Sequence, residues 1–222
     1  NFEGRHRNLL HIFEARAVEM EEALEPHAAL SKTQLYLVGA YFLHEYSFEA
    51  SALFNPSIVR HPDQSDAPNG GCRFILSLRA VGEGHISSLT FRSGSIAANG
   101  SVAIDATARL ASIPKVTNRT ARPNGDDVEV IFGPDEDLSE RVIFPITDAQ
   151  ANGIEDARFV EFEDEGRRTF YATYTAYSGR GIRSELLETT DFRSFRMTPL
   201  SGTAARNKGM GLFPRRIDGR YA

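Results

Sequence analysis

Three segments of this chain are built on one plan, and an internal repeat constrains a fold more than any single element does. Each opens with an entry phrase, runs into a strand pattern, turns, and enters a second strand pattern that ends near a polar or basic residue. The first is Leu53-Phe54-Asn55-Pro56-Ser57-Ile58-Val59, followed by residues 73–80. The second is Glu155-Asp156-Ala157-Arg158-Phe159-Val160-Glu161-Phe162, followed by residues 169–176. The third is Leu212-Phe213-Pro214-Arg215-Arg216-Ile217, followed by residues 218–222. Further apolar runs at 86–91 and 182–188 extend the first two. Units of about four short strands, repeated along a chain, are the pattern of a β-propeller. A closed ring needs about four blades or more, and only two to three units are visible, so the chain reads as part of a ring.

Outside the repeats the chain divides in two. Leu9, Leu10, Phe13, Ala17, Met20 and Leu24 recur at helical steps, with Glu14, Glu19, Glu21, Glu22 and Glu25 on the other side and Pro26 as the stop. From Leu35 onward, β-branched and aromatic runs alternate with Gly, Pro, Asn and Asp, at 73–78, 86–91, 128–132, 141–144, 159–162 and 169–177. No long helical period follows Pro26, so a βαβ sheet is not expected and this part reads as all-β. The stretch between Ser93 and Asp127 loosens into Ala, Ser, Asn and Gly, the composition of a surface excursion with an irregular strand or two. The expected organisation is a helical extension over 1–34 and a partial propeller over 35–222.

Composition narrows the function classes. The chain has 41% hydrophobic and 25% charged residues, ordinary for a globular protein and wrong for disorder. Its longest uncharged apolar run, residues 35–43, is well short of the roughly 20 residues of a membrane span. Thirty acidic against twenty-five basic residues, net −5, disfavour binding to a nucleic-acid backbone. A single cysteine, Cys72, excludes an internal disulfide framework and a Cys-rich zinc site. The six histidines lack metal-ligand spacing, so no metal is expected. With no leader visible, the expected location is the cytoplasm.

In a propeller the polar residues at blade entries meet in one axial pocket. Here those are Asn55, Arg79, Glu155, Asp156, Arg158, Asn207 and Lys208. Carboxylate, amide and cation together suit a polyhydroxylated or anionic ligand. Each residue also has a plain structural reading: Asn55 as an Asx turn before Pro56, Arg79 as a solvent-facing strand end, Lys208 as a loop lysine, and Glu155 and Asp156 as a strand-opening turn. Strict alternation along a strand would point Glu155 and Asp156 to opposite faces, leaving Glu155 either remote from Asp156 or a support for it. The Gly82-Glu83-Gly84-His85 loop reads first as a tight turn, although His85 or Glu83 in it would also suit a base or a substrate contact.

Several phrases carry a resemblance to a known family. They are residues 39–50 and Phe54-Asn55-Pro56-Ser57-Ile58-Val59, then residues 77–88. They continue with Gly153-Ile154-Glu155-Asp156-Ala157-Arg158-Phe159, Tyr174-Thr175-Ala176-Tyr177, and Asn207-Lys208-Gly209-Met210-Gly211-Leu212-Phe213-Pro214. In this order they resemble glycoside hydrolase family 130, the mannoside phosphorylases and related mannosidases, and most of all its longer bacterial members with a helical N-terminal extension.

The resemblance implies a five-bladed β-propeller that cleaves β-mannosidic bonds with inversion. It implies Asp156 as general acid, Asn55 and Arg79 on the sugar, and Glu155, Arg158 and Asn207 as further substrate contacts. Lys208 and Arg180 would hold inorganic phosphate, the co-substrate of a phosphorylase that releases α-mannose 1-phosphate. Around Arg180 the sequence reads Ser178-Gly179-Arg180-Gly181, a departure from the aromatic-Asn-Arg phrase of the phosphorylases. A hydrolase of this kind would use water and a second carboxylate. A non-catalytic carbohydrate-binding propeller is the third reading. The expected partners are a β-mannoside oligosaccharide, phosphate and further copies of the chain, with no organic cofactor, nucleic acid or membrane.

Overall fold

The structure, a computed structural model, describes Phe2, residues 4–20 and residues 30–222. It divides into two compact units, Asn1–Tyr46 and Ser47–Ala222.

The first unit is a helix pair, α1 (Leu9–Met20) and α2 (Lys32–Phe42). On α1 the expected stripe buries Phe13 and Ala17, one turn apart, while Leu10 stays exposed. Leu24, Glu21, Glu22, Glu25 and Pro26, assigned to the same helix and its stop, lie outside the described residues. Helix α2 corrects the expectation that everything after Pro26 is β. Ser31 and Gln34 form a capping box: Ser31 Oγ accepts from Gln34 N, and Gln34 Oε1 accepts from Ser31 N at 2.9 Å. That reciprocal pair satisfies two helix-end donors and starts a helix in a run whose side chains would otherwise suit a strand. Gly39 then lets α2 lie directly on α1, since a Cβ there would overlap the Phe13 carbonyl. The helical unit therefore continues to Tyr46, past the expected boundary at residue 34.

The second unit is mainly β, one large mixed sheet. Its strands are β1 (Ala52–Arg60), β2 (Cys72–Val81), β3 (Ser87–Ile96), β4 (Val102–Ile104), β5 (Lys115–Thr120), β6 (Asp127–Ile131), β7 (Val142–Ile143), β8 (Gly153–Asp164), β9 (Arg167–Tyr177), β10 (Ile182–Thr189) and β11 (Ser194–Pro199). The order is β1-β2-β3-β8-β9-β10-β11-β6-β5, with β4 and β7 paired to β3. The first two repeats are antiparallel meanders, β1 to β4 and β8 to β11. They meet at one parallel pair, Ser87 with Gly153, where β3 and β8 begin. In the loosened stretch, β4 and β5 are exposed along their whole length.

The third repeat does not form two strands. Residues 212–222 fold back on themselves: Phe213 N donates to Ala222 O, and Ile217 and Arg220 exchange backbone bonds. Asp218 and Gly219 both have positive φ, +49° and +73°, as the two centre residues of a type I′ turn require. An Asp-Gly pair read as the start of a strand is here the turn itself, because among the described residues no sheet edge pairs with the segment.

Phenylalanines fill the space between the meanders. Phe91 of β3 stacks on Phe195 of β11 at 5.7 Å and meets Phe192 edge-on at 5.8 Å. Phe132, Phe159 and Phe170 close the cluster, all buried. Such aromatic pairs add about 0.5–1.5 kcal/mol beyond area burial.

One charged clamp ties the far strands together. Asp127 at the start of β6 is buried and accepts from Arg196 Nε and Nη2 at 3.0 and 2.7 Å, and from Arg122 Nη2 at 2.7 Å. The Arg196 guanidinium holds the Asp127 carboxyl below its usual range, and Arg122 adds to this against the opposing effect of burial. A depressed native pKa contributes stability above the unfolded value, near 3.9, that is lost as pH falls through the native value. Urea unfolding of the native protein between pH 6 and pH 3 should therefore lose stability on the acid side. Asp127→Asn should be less stable at pH 6 and show a flatter acid limb; an unchanged slope would remove the clamp from the account.

Candidate functional site

Two β-bulges build the site. In β1 the pairing with β2 shifts register between Phe54 and Ser57, and in β8 the pairing with β9 shifts between Glu155 and Arg158. Each bulge carries a non-glycine residue in left-handed conformation, Asn55 at φ +52° and Asp156 at φ +55°. Asn and Asp tolerate this region better than other side chains, yet such residues cost on the order of 1–3 kcal/mol and gather where geometry is held for a purpose. The two bulges face each other. Asn55 Nδ2 donates to Asp156 Oδ1 at 2.5 Å, across 101 residues of sequence.

The bulge in β8 also settles where Glu155 points. With alternation broken at Asp156, both carboxylates reach one guanidinium: Arg79 Nη2 lies 2.7 Å from Glu155 Oε1, and Arg79 Nη1 lies 3.4 Å from Asp156 Oδ1. Lys208 Nζ takes the other Glu155 oxygen at 2.6 Å. Both Glu155 oxygens are thus paired. Asp156 is tethered through Oδ1 alone, and among the described residues Oδ2 has no partner. The Asp156 side chain keeps 21% of its surface exposed against 10% for Glu155, so Asp156 is the carboxylate open to a ligand.

Arg79 is itself fixed. Its Nε donates to Ser87 Oγ at 2.9 Å and its guanidinium lies over the Phe54 ring at 5.1 Å. Ser87 is set by Gly153, at φ +148°, where a Cβ would fall 2.9 Å from Ser87 Cβ. Glycine lets β3 and β8 touch at that point, and the contact sets the serine that aims Arg79.

The chain after the second meander crosses beside Asp156. Ser184 Oγ donates to Asn207 O at 2.7 Å, and Thr173 Oγ1 to Met210 O at 2.6 Å. Asp156 shares a small pocket with Thr173, Thr175, Ser184, Gly209 and Met210. A much larger cavity, about 590 Å³, lies away from these residues. Convergent charged groups on two strained bulges, rather than size, mark the candidate site.

Of the residues singled out from sequence, Asn55, Arg79, Glu155, Asp156 and Lys208 come together. Arg158 does not join them: it is exposed and its Nη1 donates to Pro56 O at 3.0 Å, tying β8 to the bulge of β1. Asn207 reaches the neighbourhood through its backbone carbonyl. Arg180 sits exposed in the β9–β10 turn, and among the described residues its side chain makes no hydrogen bond or ion pair. Glu83 and His85 lie in a short 3-10 turn at Glu83–His85, where the Glu83 carboxylate accepts from Ser47 N at 3.4 Å.

Sequence reading missed Phe54 and Ser87 as supports and the hydroxyl row of β9. That row left a trace, since Thr169, Thr173 and Thr175 alternate with Phe170, Ala172, Tyr174 and Ala176, yet both faces are buried. A threonine on a buried face needs a partner, and Thr173 finds its own on the crossing segment, at Met210 O.

Comparison of this chain with family models, with curated proteins and with solved structures finds no match.

Proposed function

We propose that this chain carries the acid half of an inverting glycoside-cleaving site of the kind found in glycoside hydrolase family 130, within a five-bladed propeller to which the two meanders would contribute blades. Asp156 would protonate the departing glycosidic oxygen while a nucleophile attacks the anomeric carbon from the opposite face. Asn55 and Arg79 would hold Asp156 and the sugar hydroxyls together. Glu155 would keep Arg79 and Lys208 in place.

One observation carries this reading. A partly exposed carboxylate is tethered by one oxygen to donors from two other strands, at the crossing of two strained bulges, with its second oxygen unpaired. That is the arrangement of a positioned proton donor, and a strand-opening turn has no need of it.

The nucleophile divides the reading. Phosphorolysis is the first choice, with Lys208 beside the carboxylates as the phosphate contact. Hydrolysis is favoured by two specific features: Lys208 is already engaged by Glu155, and Arg180 stands apart from the cluster.

The test incubates the full-length protein with a panel of β-mannosides, with and without inorganic phosphate, and follows products by chromatography. Mannose 1-phosphate formed only with phosphate is the expected result. Free mannose released equally in both conditions would replace phosphorolysis by hydrolysis. No turnover of any β-mannoside would overturn the substrate class.

A further inference from the structure

A cavity of the β unit much larger than the pocket at Asp156 lies apart from it. It lies at the opposite end of β2, where Arg73 stands six residues from Arg79, roughly 20 Å along a strand. Its volume of about 590 Å³ falls within the ~300–1,000 Å³ of small-molecule sites. Its walls come from β2, β3, the segment after β4, the 134–141 loop and the β10–β11 turn.

Part of the walls is spent on the protein itself: Arg141 donates to the Phe192 and Glu136 carbonyls, Glu136 accepts from Gly133 N, and Asp191 accepts from Arg193 N and Ser194 N. The groups around Arg73 are less engaged. Arg73 is mostly buried, yet its guanidinium meets carboxylates only at 3.8 Å, to Asp105, and 3.9 Å, to Asp66, beyond hydrogen-bond reach. His61 uses Nδ1 on the Asp63 backbone, which leaves Nε2 for a ligand, and burial pushes its imidazole down, toward the neutral form. Asp105 takes the Ser93 hydroxyl on Oδ2 at 2.6 Å, and among the described residues its Oδ1 has no hydrogen-bond partner. Among the described residues the Asp137 carboxylate has no partner, and Ser139 Oγ accepts from Ala108 N with its own proton to give.

Charge decides the ligand class. Arg73 and Arg141 face Asp105, Glu136, Asp137 and Asp191 around one space. A free anion would meet four carboxylates, and a free cation two guanidinium groups. A neutral molecule whose groups both donate and accept satisfies both sets at once, which is what a row of hydroxyls does. Pro62, Pro134 and Leu138 supply apolar surface between the polar groups, suited to the C–H faces of a pyranose ring.

We propose that this cavity is a second saccharide-binding site, separate from Asp156, which takes a neutral di- or oligosaccharide against the neighbouring Arg73 and Asp105, with His61 and Asp137 as further contacts. It would hold a chain on the protein without cutting it, and it stands whether or not Asp156 performs the proposed chemistry.

The test is calorimetric titration of the whole chain with β-1,4-mannobiose, cellobiose and xylobiose, with inorganic phosphate as a separate titrant. Four proteins are compared: wild type, Arg79→Ala, Arg73→Leu and the Arg73→Leu/Asp105→Asn pair. Among the described residues the Arg73 guanidinium makes no hydrogen bond, and Asp105 is exposed, so folding should survive, and circular dichroism melts check it. The expected result is saccharide binding that persists in Arg79→Ala and weakens at least ten-fold in the pair. In ¹⁵N-labelled protein, saccharide should shift the amides of His61 and Asp137. Binding abolished by Arg79→Ala and untouched by the pair would overturn the proposal, as would no binding of any of the three sugars. Phosphate binding that depends on Arg73, without saccharide binding, would make the cavity an anion site instead. Failure of turnover at Asp156 touches none of these readouts.

Discussion

Asp156→Asn is expected to lower turnover of a cleaved β-mannoside by about 10²–10⁴-fold, the usual contribution of a positioned acid or base. The substitution keeps the shape of the side chain and its tolerance of φ +55°, so the bulge should persist. Thermal unfolding should shift by the equivalent of about 1 kcal/mol or less, the scale of one neutral hydrogen bond. The amide cannot release a proton to the leaving oxygen, so the loss should appear in kcat with KM nearly unchanged. A variant that keeps full turnover would remove Asp156 from the chemistry and leave Glu155 as the carboxylate to examine. A variant that simply unfolds would show the Asn55–Asp156 contact to be structural, and Asn55→Ala would then be equally damaging to stability.

The second large effect concerns stability. Glu185 on β10 is buried and receives three donors: Tyr174 Oη at 2.5 Å, Gln150 Nε2 at 2.7 Å, and Arg183 Nε at 2.6 Å. Gln150 also caps the turn before β8, accepting from Ile146 N at 2.9 Å, and Arg183 reaches Asn124 O at 2.7 Å. One carboxylate thus joins β9, β10, the approach to β8 and the β5–β6 connection. Glu185→Ala leaves buried donors without a partner and should cost about 3–5 kcal/mol, the range for breaking a buried charged pair from one side. Glu185→Gln retains an acceptor and should cost about 1–3 kcal/mol. Urea unfolding measures both. An alanine variant within the error of wild type would show that the network is no stronger than the water it replaces. Burial, with the Glu185 charge beside it, pushes the Tyr174 phenol well above its ordinary range, so this contact holds in the neutral form across physiological pH.

How much of this was readable in the chain depends on the range of the forces involved. The strand runs at 73–78, 86–91 and 169–177 were legible because β-branched and aromatic residues between turn formers report on a pleated, buried surface. The first three strands of each meander followed from the repeated plan, whereas β11 at Ser194–Pro199 was not read as a strand. Residues 35–43 misled because Leu, Tyr and Val suit either element, and the deciding signal was the short Ser31–Gln34 box outside the run. Residues 212–222 misled because their likeness to the earlier repeats is one of side chains, whereas a strand exists only if a neighbouring edge accepts its backbone bonds.

The site divides in the same way. Asn55, Arg79 and Asp156 stand out in the sequence as polar residues at the entries and ends of apolar strands, and Lys208 as a basic residue just before the third repeat. Nothing local says that Asp156 and Glu155 share a side, since alternation argues the opposite; the left-handed turn at Asp156 is sustained by Asn55 and Arg79, 101 and 77 residues away. Nor does a lysine in a glycine-rich loop announce that it will pair with Glu155, or an arginine at 158 that it will serve the backbone of Pro56. By itself the sequence determined a mainly β chain in repeated meanders, with its chemistry-bearing residues at strand entries, because pattern and propensity act over a few residues. Only the tertiary structure decided which of those residues meet, because bulge strain, ion pairing and strand contact are settled between segments that the chain order keeps far apart.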